Sequence, residues 1–314
     1  MLRIVHTGCG AIEGIAAPEP EITVFRGIPF AAPPVGDLRW RPPQPVAAWA
    51  GTLAAHDFAP ACPQPTPGDS NEFYDREWGT DRPLPVMVWI LCGAYQTGCT
   101  AEKEFDGSAL ARRGVVVVSV GYRLNVFGFL AHNRLREEAE ARHDDEPYAN
   151  FGFLDQRAGI RWVVKNIAAF GGDPENITIF GQSAGAGSVL AQICSPLNRG
   201  LFQRAIMQSG AGLGMFNRHQ QSLEDGHRTA ERLFEALGVS SLDEARQVPA
   251  AELLATAEGS LAAMHSQEPD ALDNAIRWVR LLWDTPIRTG TRRYYDNFLY
   301  SFAFLALAGE YRVW

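Results

Sequence analysis

Two stretches of this chain, Val86-Met87-Val88-Trp89-Ile90-Leu91 and Val115-Val116-Val117-Val118-Ser119-Val120, are apolar almost throughout instead of alternating. Neither face of such a strand suits water, so both belong in a sheet covered on each side, the environment of parallel strands. Helix-compatible stretches lie between and after them, at 104–113, at 154–170 with a Trp162/Val163/Ile167 stripe, and at 223–237. Strand followed by helix, repeated, predicts an α/β fold with a mostly parallel central sheet and helices on both faces.

A third strand signal, Ile177-Thr178-Ile179-Phe180, runs directly into Gly181-Gln182-Ser183-Ala184-Gly185 and then into a small-residue helix over 184–194. Gly-x-Ser-x-Gly is weak evidence as a pattern alone, and the strand before it and helix after it are the surroundings that give it meaning. Glycines two residues either side of Ser183 let the chain turn sharply, hold the serine in a strained conformation and expose its hydroxyl above the sheet. The helix that follows aims its free N–H groups and positive dipole end at any anion forming beside that hydroxyl.

Composition narrows the partners. At 314 residues and 46% hydrophobic, the chain can bury a large core. A formal net charge of -8 with no Lys/Arg run argues against nucleic acid. No apolar run approaches membrane-spanning length and the first residues carry no apolar leader core, so a cytoplasmic location without membrane contact is expected. Five cysteines without a Cys-x-x-Cys pair read as reduced thiols, Cys92 and Cys99 included. No His/Asp cluster has ligand spacing, so neither a metal nor another cofactor is expected.

The first sixty residues hold short β-type runs at 3–7 and 22–25 and the proline-rich stretch Ala31-Ala32-Pro33-Pro34-Val35-Gly36. They predict an N-terminal hairpin and extended loop, 1–60, packed on a single domain spanning 1–314. The polar, Pro- and Gly-rich 63–83 reads as a flexible surface loop, and the mixed charges of 134–146 as a solvated excursion.

At this point several segments, taken in order, resemble the type-B carboxylesterase and cholinesterase family. They are Gly27-Ile28-Pro29-Phe30-Ala31, Pro33-Pro34-Val35-Gly36-Asp37-Leu38-Arg39-Trp40, Asn150-Phe151-Gly152-Phe153-Leu154-Asp155-Gln156, Asn166-Ile167-Ala168-Ala169-Phe170-Gly171-Gly172-Asp173-Pro174, Phe180-Gly181-Gln182-Ser183-Ala184-Gly185 and Ala205-Ile206-Met207-Gln208-Ser209-Gly210. The resemblance runs from about residue 7 to about 257. It implies an α/β-hydrolase fold, incomplete at the C-terminal end, and hydrolysis of a small-molecule carboxylic ester through an acyl-enzyme.

By the same resemblance Ser183 is the nucleophile, and the N–H groups of Gly93, Ala94 and Ala184 form the oxyanion hole. Relatives carry a glycine run where this chain has Cys92-Gly93-Ala94-Tyr95, so Cys92 places a side chain where the family backbone is bare. Ser209 matches a family serine that supports the catalytic acid. Gln182 stands where many relatives carry Glu, which removes a charge that would favour cationic esters. After Ser183 no Gly-x-x-x-Asp-Glu-Gly acid motif occurs, and His219, His227 and His265 have no catalytic counterparts, so all three are expected to be exposed. Without a base, Ser183 is predicted to be a weak nucleophile. The resemblance also implies that a strand present in relatives after Cys62 is deleted here, leaving Cys62 without its family partner. A non-catalytic cholinesterase-like binding module, or an inactive fragment, is the other reading; such modules call for secretion and disulfides, which this sequence does not signal.

Overall fold

The structure, a computed structural model, describes residues 3–17, 22–63, 83–102, 105–142, 147–210, 223–267 and 303–307. Four short strands open the chain, β1 (Ile4–Thr7), β2 (Gly10–Glu13), β3 (Ile15–Ala16) and β4 (Thr23–Val24), and β5 (Thr52–Ala54) follows the proline-rich segment. Strands and helices then alternate as β6 (Leu84–Ile90), α1 (Ser108–Ala111), β7 (Val116–Val120), α2 (Asn125–Phe129), α3 (Asn133–Ala141), α4 (Phe151–Asn166), β8 (Gly172–Gln182), α5 (Ala184–Cys194) and β9 (Arg204–Gln208). Helices α6 (Leu223–Leu237), α7 (Leu242–Gln247) and α8 (Ala250–Gln267) and strand β10 (Ala303–Leu307) come last.

The central sheet has the order β10-β9-β8-β6-β7. Pairings β6–β7, β6–β8 and β8–β9 are parallel, and β10 adds an antiparallel edge. The unbroken apolar run of β6 follows from cover on both faces, whereas β7, expected to be covered likewise, forms the sheet edge among the described residues and buries only Val120. Val86, Val88, Ile90, Ile177 and Ile179 are fully buried in a core that includes Ile160, Val163 and Val189. Side chains alternate across a strand, so Trp89 and Phe180 face the other way. There the Trp89 ring packs 4.9 Å from Phe180 and 5.1 Å from Phe105.

The N-terminal hairpin β1–β2 pairs onward with β5, and Val5, Ile12 and Ala55 pack against Trp162 and Phe170. The proline-rich segment is more than a surface strap. Trp40 is buried and its Nε1–H donates to the Val126 carbonyl at 2.9 Å. Arg39 donates to the Val248 carbonyl at 2.8 Å, and Arg41 reaches Glu138 at 3.1 Å.

Three expectations are corrected. The helix read over 104–113 is reduced to the single turn α1 between Gly107 and Gly114. The excursion expected at 134–146 contains α3, whose Leu135 and Ala139, four residues apart, are buried while Glu138 on the same helix pairs with Arg41, Arg142 and Arg246. Glu138 thus ties the proline-rich segment to α7, while Arg134, Arg136, Glu137, Glu140 and Arg142 are exposed. His227, expected to be exposed, is buried, because helical periodicity places it on the stripe of α6 that also carries Ala230 and Phe234. His265 lies within α8, while His219, the segment 64–82 and most of the tail lie outside the described residues.

His132, at the N-terminus of α3, accepts the Arg134 N–H through Nδ1 at 3.1 Å and lies 4.4 Å from the Phe234 ring. Burial and the neighbouring Arg134 cation hold its pKa below the ordinary histidine value; Glu231 and Glu137 oppose this, and His227 adds to it. A depressed histidine contributes stability that is fully present above the unfolded pKa of about 6.5 and is lost as pH falls through the folded value. His132→Asn keeps a capping acceptor but cannot titrate. It is expected to lose less stability than the native chain when urea midpoints are compared at pH 8 and pH 5.5; equal losses in both proteins would refute this assignment.

Candidate active site

Parallel strands deliver their C-terminal ends to one edge of the sheet. Ile90 pairs with Gly181 and Gln182 with Gln208, so the loop after β6, the turn after β8 and the turn after β9 leave neighbouring strands at nearly the same level. These turns carry Gly93 and Ala94, Ser183, and Ser209, respectively.

Ser183 occupies φ 53°, ψ -121°, directly between β8 and α5. Such a conformation costs on the order of 1–3 kcal/mol for a residue with a side chain. Its backbone N–H donates to the Gln208 carbonyl at 2.8 Å and its carbonyl accepts from Gly187 at 3.1 Å, so both strand ladder and helix hold it in place. Its hydroxyl caps no helix N–H. Ala184 is the first residue of α5, and its N–H has no carbonyl four residues back within the helix.

The strain falls on Ser183, as the sequence predicts, and the flanking glycines serve it by being small. The left-handed backbone falls on Ser183, whereas Gly181 and Gly185 supply room. A Cβ on Gly181 would stand 2.5 Å from the Gly185 carbonyl carbon, and one on Gly185 would stand 2.3 Å from the Ile90 oxygen. Gly210 belongs to the same arrangement, since its Cβ would fall 2.0 Å from the Ser183 oxygen. Sequence reading assigned Gly210 no role; its only signal was its place in the Gln208-Ser209-Gly210 motif.

The loop after β6 is wound tightly. Gly93, Ala94 and Tyr95 have φ of 95°, 55° and 63°, and the N–H groups of Gln96 and Thr97 both donate to the Gly93 carbonyl, at 2.9 and 3.0 Å. Among the described residues, the N–H groups of Gly93 and Ala94 enter no hydrogen bond. Ala94 is exposed and Gly93 half-buried. Asn125, another left-handed residue, braces this loop: its N–H donates to the Tyr95 carbonyl at 2.7 Å and its side-chain amide to the Gln96 carbonyl at 3.3 Å. No sequence motif pointed to Asn125.

Behind Asn125, Arg123 and Asp155 form a buried bidentate pair at 2.7 Å for both bonds, and the Arg123 N–H adds a third at 3.0 Å. Cys62 accepts the Leu124 N–H at 3.3 Å, and burial pushes its thiol up to about 11, so it stays protonated and unreactive at neutral pH. None of the five cysteines is in a disulfide. Ser209 sits at φ 51° beyond β9; it is exposed and among the described residues its hydroxyl enters no hydrogen bond. Gln182 is half-buried at the last paired position of β8. Among the described residues no three His, Cys, Asp or Glu side chains converge as a metal site would require, and no helix is long and apolar enough to cross a membrane.

A strained serine between strand and helix, with unpaired backbone donors on the neighbouring loop, defines the serine-elbow class of α/β proteins. The chain belongs to the carboxylesterase family, whose model matches residues 2–276. It is 40% identical over 273 residues to a para-nitrobenzyl esterase of Bacillus subtilis, covering 82% of this chain and 53% of that protein. It is 44% identical over 217 residues to a fumonisin B1 esterase of Sphingopyxis macrogoltabida, covering 65% and 39%. A solved para-nitrobenzyl esterase superposes with TM-score 0.73 at 37% identity over 84% of this chain and 54% of that one. A Geobacillus stearothermophilus carboxylesterase superposes with TM-score 0.70 at 39% identity, over 81% and 54%. The fold is therefore the α/β-hydrolase fold, and this chain spans between two-fifths and just over half the length of these relatives.

Proposed function

We propose that the chain acts on small-molecule carboxylic esters by transferring the acyl group to Ser183, with the N–H groups of Gly93, Ala94 and Ala184 receiving the oxyanion. The observation that carries this reading is the conformation of Ser183, φ 53° and ψ -121°, which a residue with a side chain adopts only when its surroundings enforce it. The esterase names of its relatives support the same substrate class. Attack by Ser183 Oγ on the ester carbonyl forms a C–O bond and a tetrahedral oxyanion; its collapse expels the alcohol and leaves the acyl-serine, which water then hydrolyses. Backbone donors suit the intermediate because they sit in place before charge develops, and each one lost costs about 2.7–4 kcal/mol of barrier.

The hydroxyl proton needs an acceptor, and the sequence offers no family acid or histidine motif after Ser183. Turnover by this chain is therefore expected to be slow, about 10³- to 10⁴-fold above water, the level left when triad members are removed from a related serine hydrolase. With p-nitrophenyl acetate, mass spectrometry should find the acetyl group on Ser183 and none at that position in Ser183→Ala, whose steady-state rate falls by less than about tenfold. Acetylation at other sites with Ser183 unmodified would overturn the reading. A rate typical of esterases that collapses in Ser183→Ala would instead place a base within this chain, and a parallel collapse in His265→Ala would identify it.

A further inference from the structure

The loop that offers Gly93 and Ala94 contains two successive residues with side chains, Ala94 and Tyr95, in left-handed backbone. Such backbone is strained for a residue with a side chain, so the loop keeps this shape only if something outside it holds it. Asn125 holds its backbone. The Tyr95 side chain supplies a second anchor, of a different kind, on the helix that begins at Ser183.

The Tyr95 ring packs edge-to-face with Phe129 at 5.3 Å and Phe153 at 5.8 Å, which sets its direction. Its hydroxyl lies against Gly187 of α5, the residue before Ser188. Ser188 is fully buried and accepts a bond from the Gln156 amide at 2.9 Å. Gln156 in turn accepts from Gln192 at 3.0 Å, and Gln192 accepts from Asn198 at 2.7 Å. On the other side Tyr122 donates its hydroxyl to the Leu91 carbonyl at 3.1 Å. The helix is shaped for this phenol: a Cβ on Gly187 would lie 2.4 Å from the Tyr95 hydroxyl oxygen.

We propose that Tyr95 is a positioning residue that locks the donor loop to the nucleophile helix, its ring held by Phe129 and Phe153 and its hydroxyl seated over Gly187. The inference rests on the acyl-transfer reading of Ser183. A fixed distance between loop and helix matters because oxyanion donors act through preorganisation, and displacing one by about 1 Å is enough to cost up to 10²-fold in rate. Removing the hydroxyl takes away the contact with Gly187 and leaves the ring packing in place, so the loop loses its hold on the helix without losing the ring.

Tyr95→Phe is the central test. The maximal rate of Ser183 acetylation by p-nitrophenyl acetate is expected to fall about tenfold with KM within about twofold, because the loss is confined to the transition state. Amide hydrogen exchange in the peptide covering 92–97, read without substrate, should accelerate by a similar factor. Gly187→Ala should produce the same two changes by displacing the hydroxyl. The double variant should be no slower than Gly187→Ala alone, since phenylalanine vacates the space that the new methyl fills. Unchanged exchange at 92–97 in Tyr95→Phe would overturn the proposal, as would multiplicative effects in the double variant. If wild type is not acetylated at Ser183, the acyl-transfer reading fails, and exchange in Tyr95→Phe still decides whether the phenol holds the loop. Should Gly187→Ala fail to fold, Tyr95→Leu replaces it: by removing the ring as well as the hydroxyl it should accelerate exchange at 92–97 at least as much as Tyr95→Phe, and unchanged exchange there would overturn the proposal.

Discussion

Gly185→Ala is expected to destabilise the protein by about 3 kcal/mol and to abolish acetylation of Ser183. Two effects oppose each other at this position. Alanine favours a helix over glycine by about 1 kcal/mol, which would stabilise α5. Against this, the new Cβ would stand 2.3 Å from the Ile90 oxygen and 2.9 Å from the Leu91 oxygen. Both are backbone atoms at the end of a central strand, so neither can swing aside as a side-chain tip would. The helix must retreat from β6 instead, and forcing extra atoms into a packed core costs typically 1–3 kcal/mol, occasionally more. The clash wins. Retreat of α5 also carries the Ala184 N–H away from the loop of Gly93 and Ala94. Urea unfolding read together with Ser183 acetylation checks both parts, and an unfolding midpoint at or above that of the native chain would contradict the packing argument.

Asp155→Ala is expected to cost about 3–5 kcal/mol, the usual result of leaving one member of a buried ion pair alone. The Arg123 and Asp155 side chains are only 6% and 9% exposed, so little solvent is at hand to stabilise the abandoned guanidinium. Among the described residues, one Arg123 nitrogen has no hydrogen-bond partner even with Asp155 present. The damage is expected to spread toward the site, because the next residues but one, starting at Asn125, brace the carbonyls of Tyr95 and Gln96. Replacing both partners, Arg123→Met with Asp155→Leu, removes the uncompensated charge and is expected to cost clearly less than Asp155→Ala alone. Chemical denaturation of the native chain, the single and the double variant gives the comparison; a single variant within about 1 kcal/mol of native would show that the pair is dispensable.

How much of this was legible in the sequence depends on the range of the interaction concerned. Local and periodic signals were read correctly where a segment's own pattern reports its surroundings. The unbroken run at 86–91 signalled a strand covered on both faces, the strand–turn–helix around Ser183 was found as expected, and α6 spans the predicted 223–237; the similar run at 115–120 became β7 at the sheet edge, where only Val120 is buried. Where a pattern mixed two signals, the reading went to the more conspicuous one. The charges of α3 hid its Leu135 and Ala139, and His227 was judged by its residue type although it shares a stripe with Ala230 and Phe234.

The elbow shows the division most clearly. Gly-x-Ser-x-Gly in its strand–helix context sufficed to single out Ser183 and to anticipate its strain. The purpose of the two glycines was not contained in that segment, because Gly185 is small on account of Ile90, roughly a hundred residues earlier in the chain, and Gly181 on account of the helix folding back over it. In the same way, Gly210 makes room for Ser183, Asn125 braces Tyr95, and Gly187 receives the Tyr95 hydroxyl. A residue's sequence neighbours determine which element it enters and which face it presents, since those follow from backbone geometry over a few residues. Which side chains must be absent, and which carbonyl or hydroxyl each loop leans on, is decided by contacts between segments far apart in the chain, and these exist only once the parallel strands have brought their ends to one edge of the sheet.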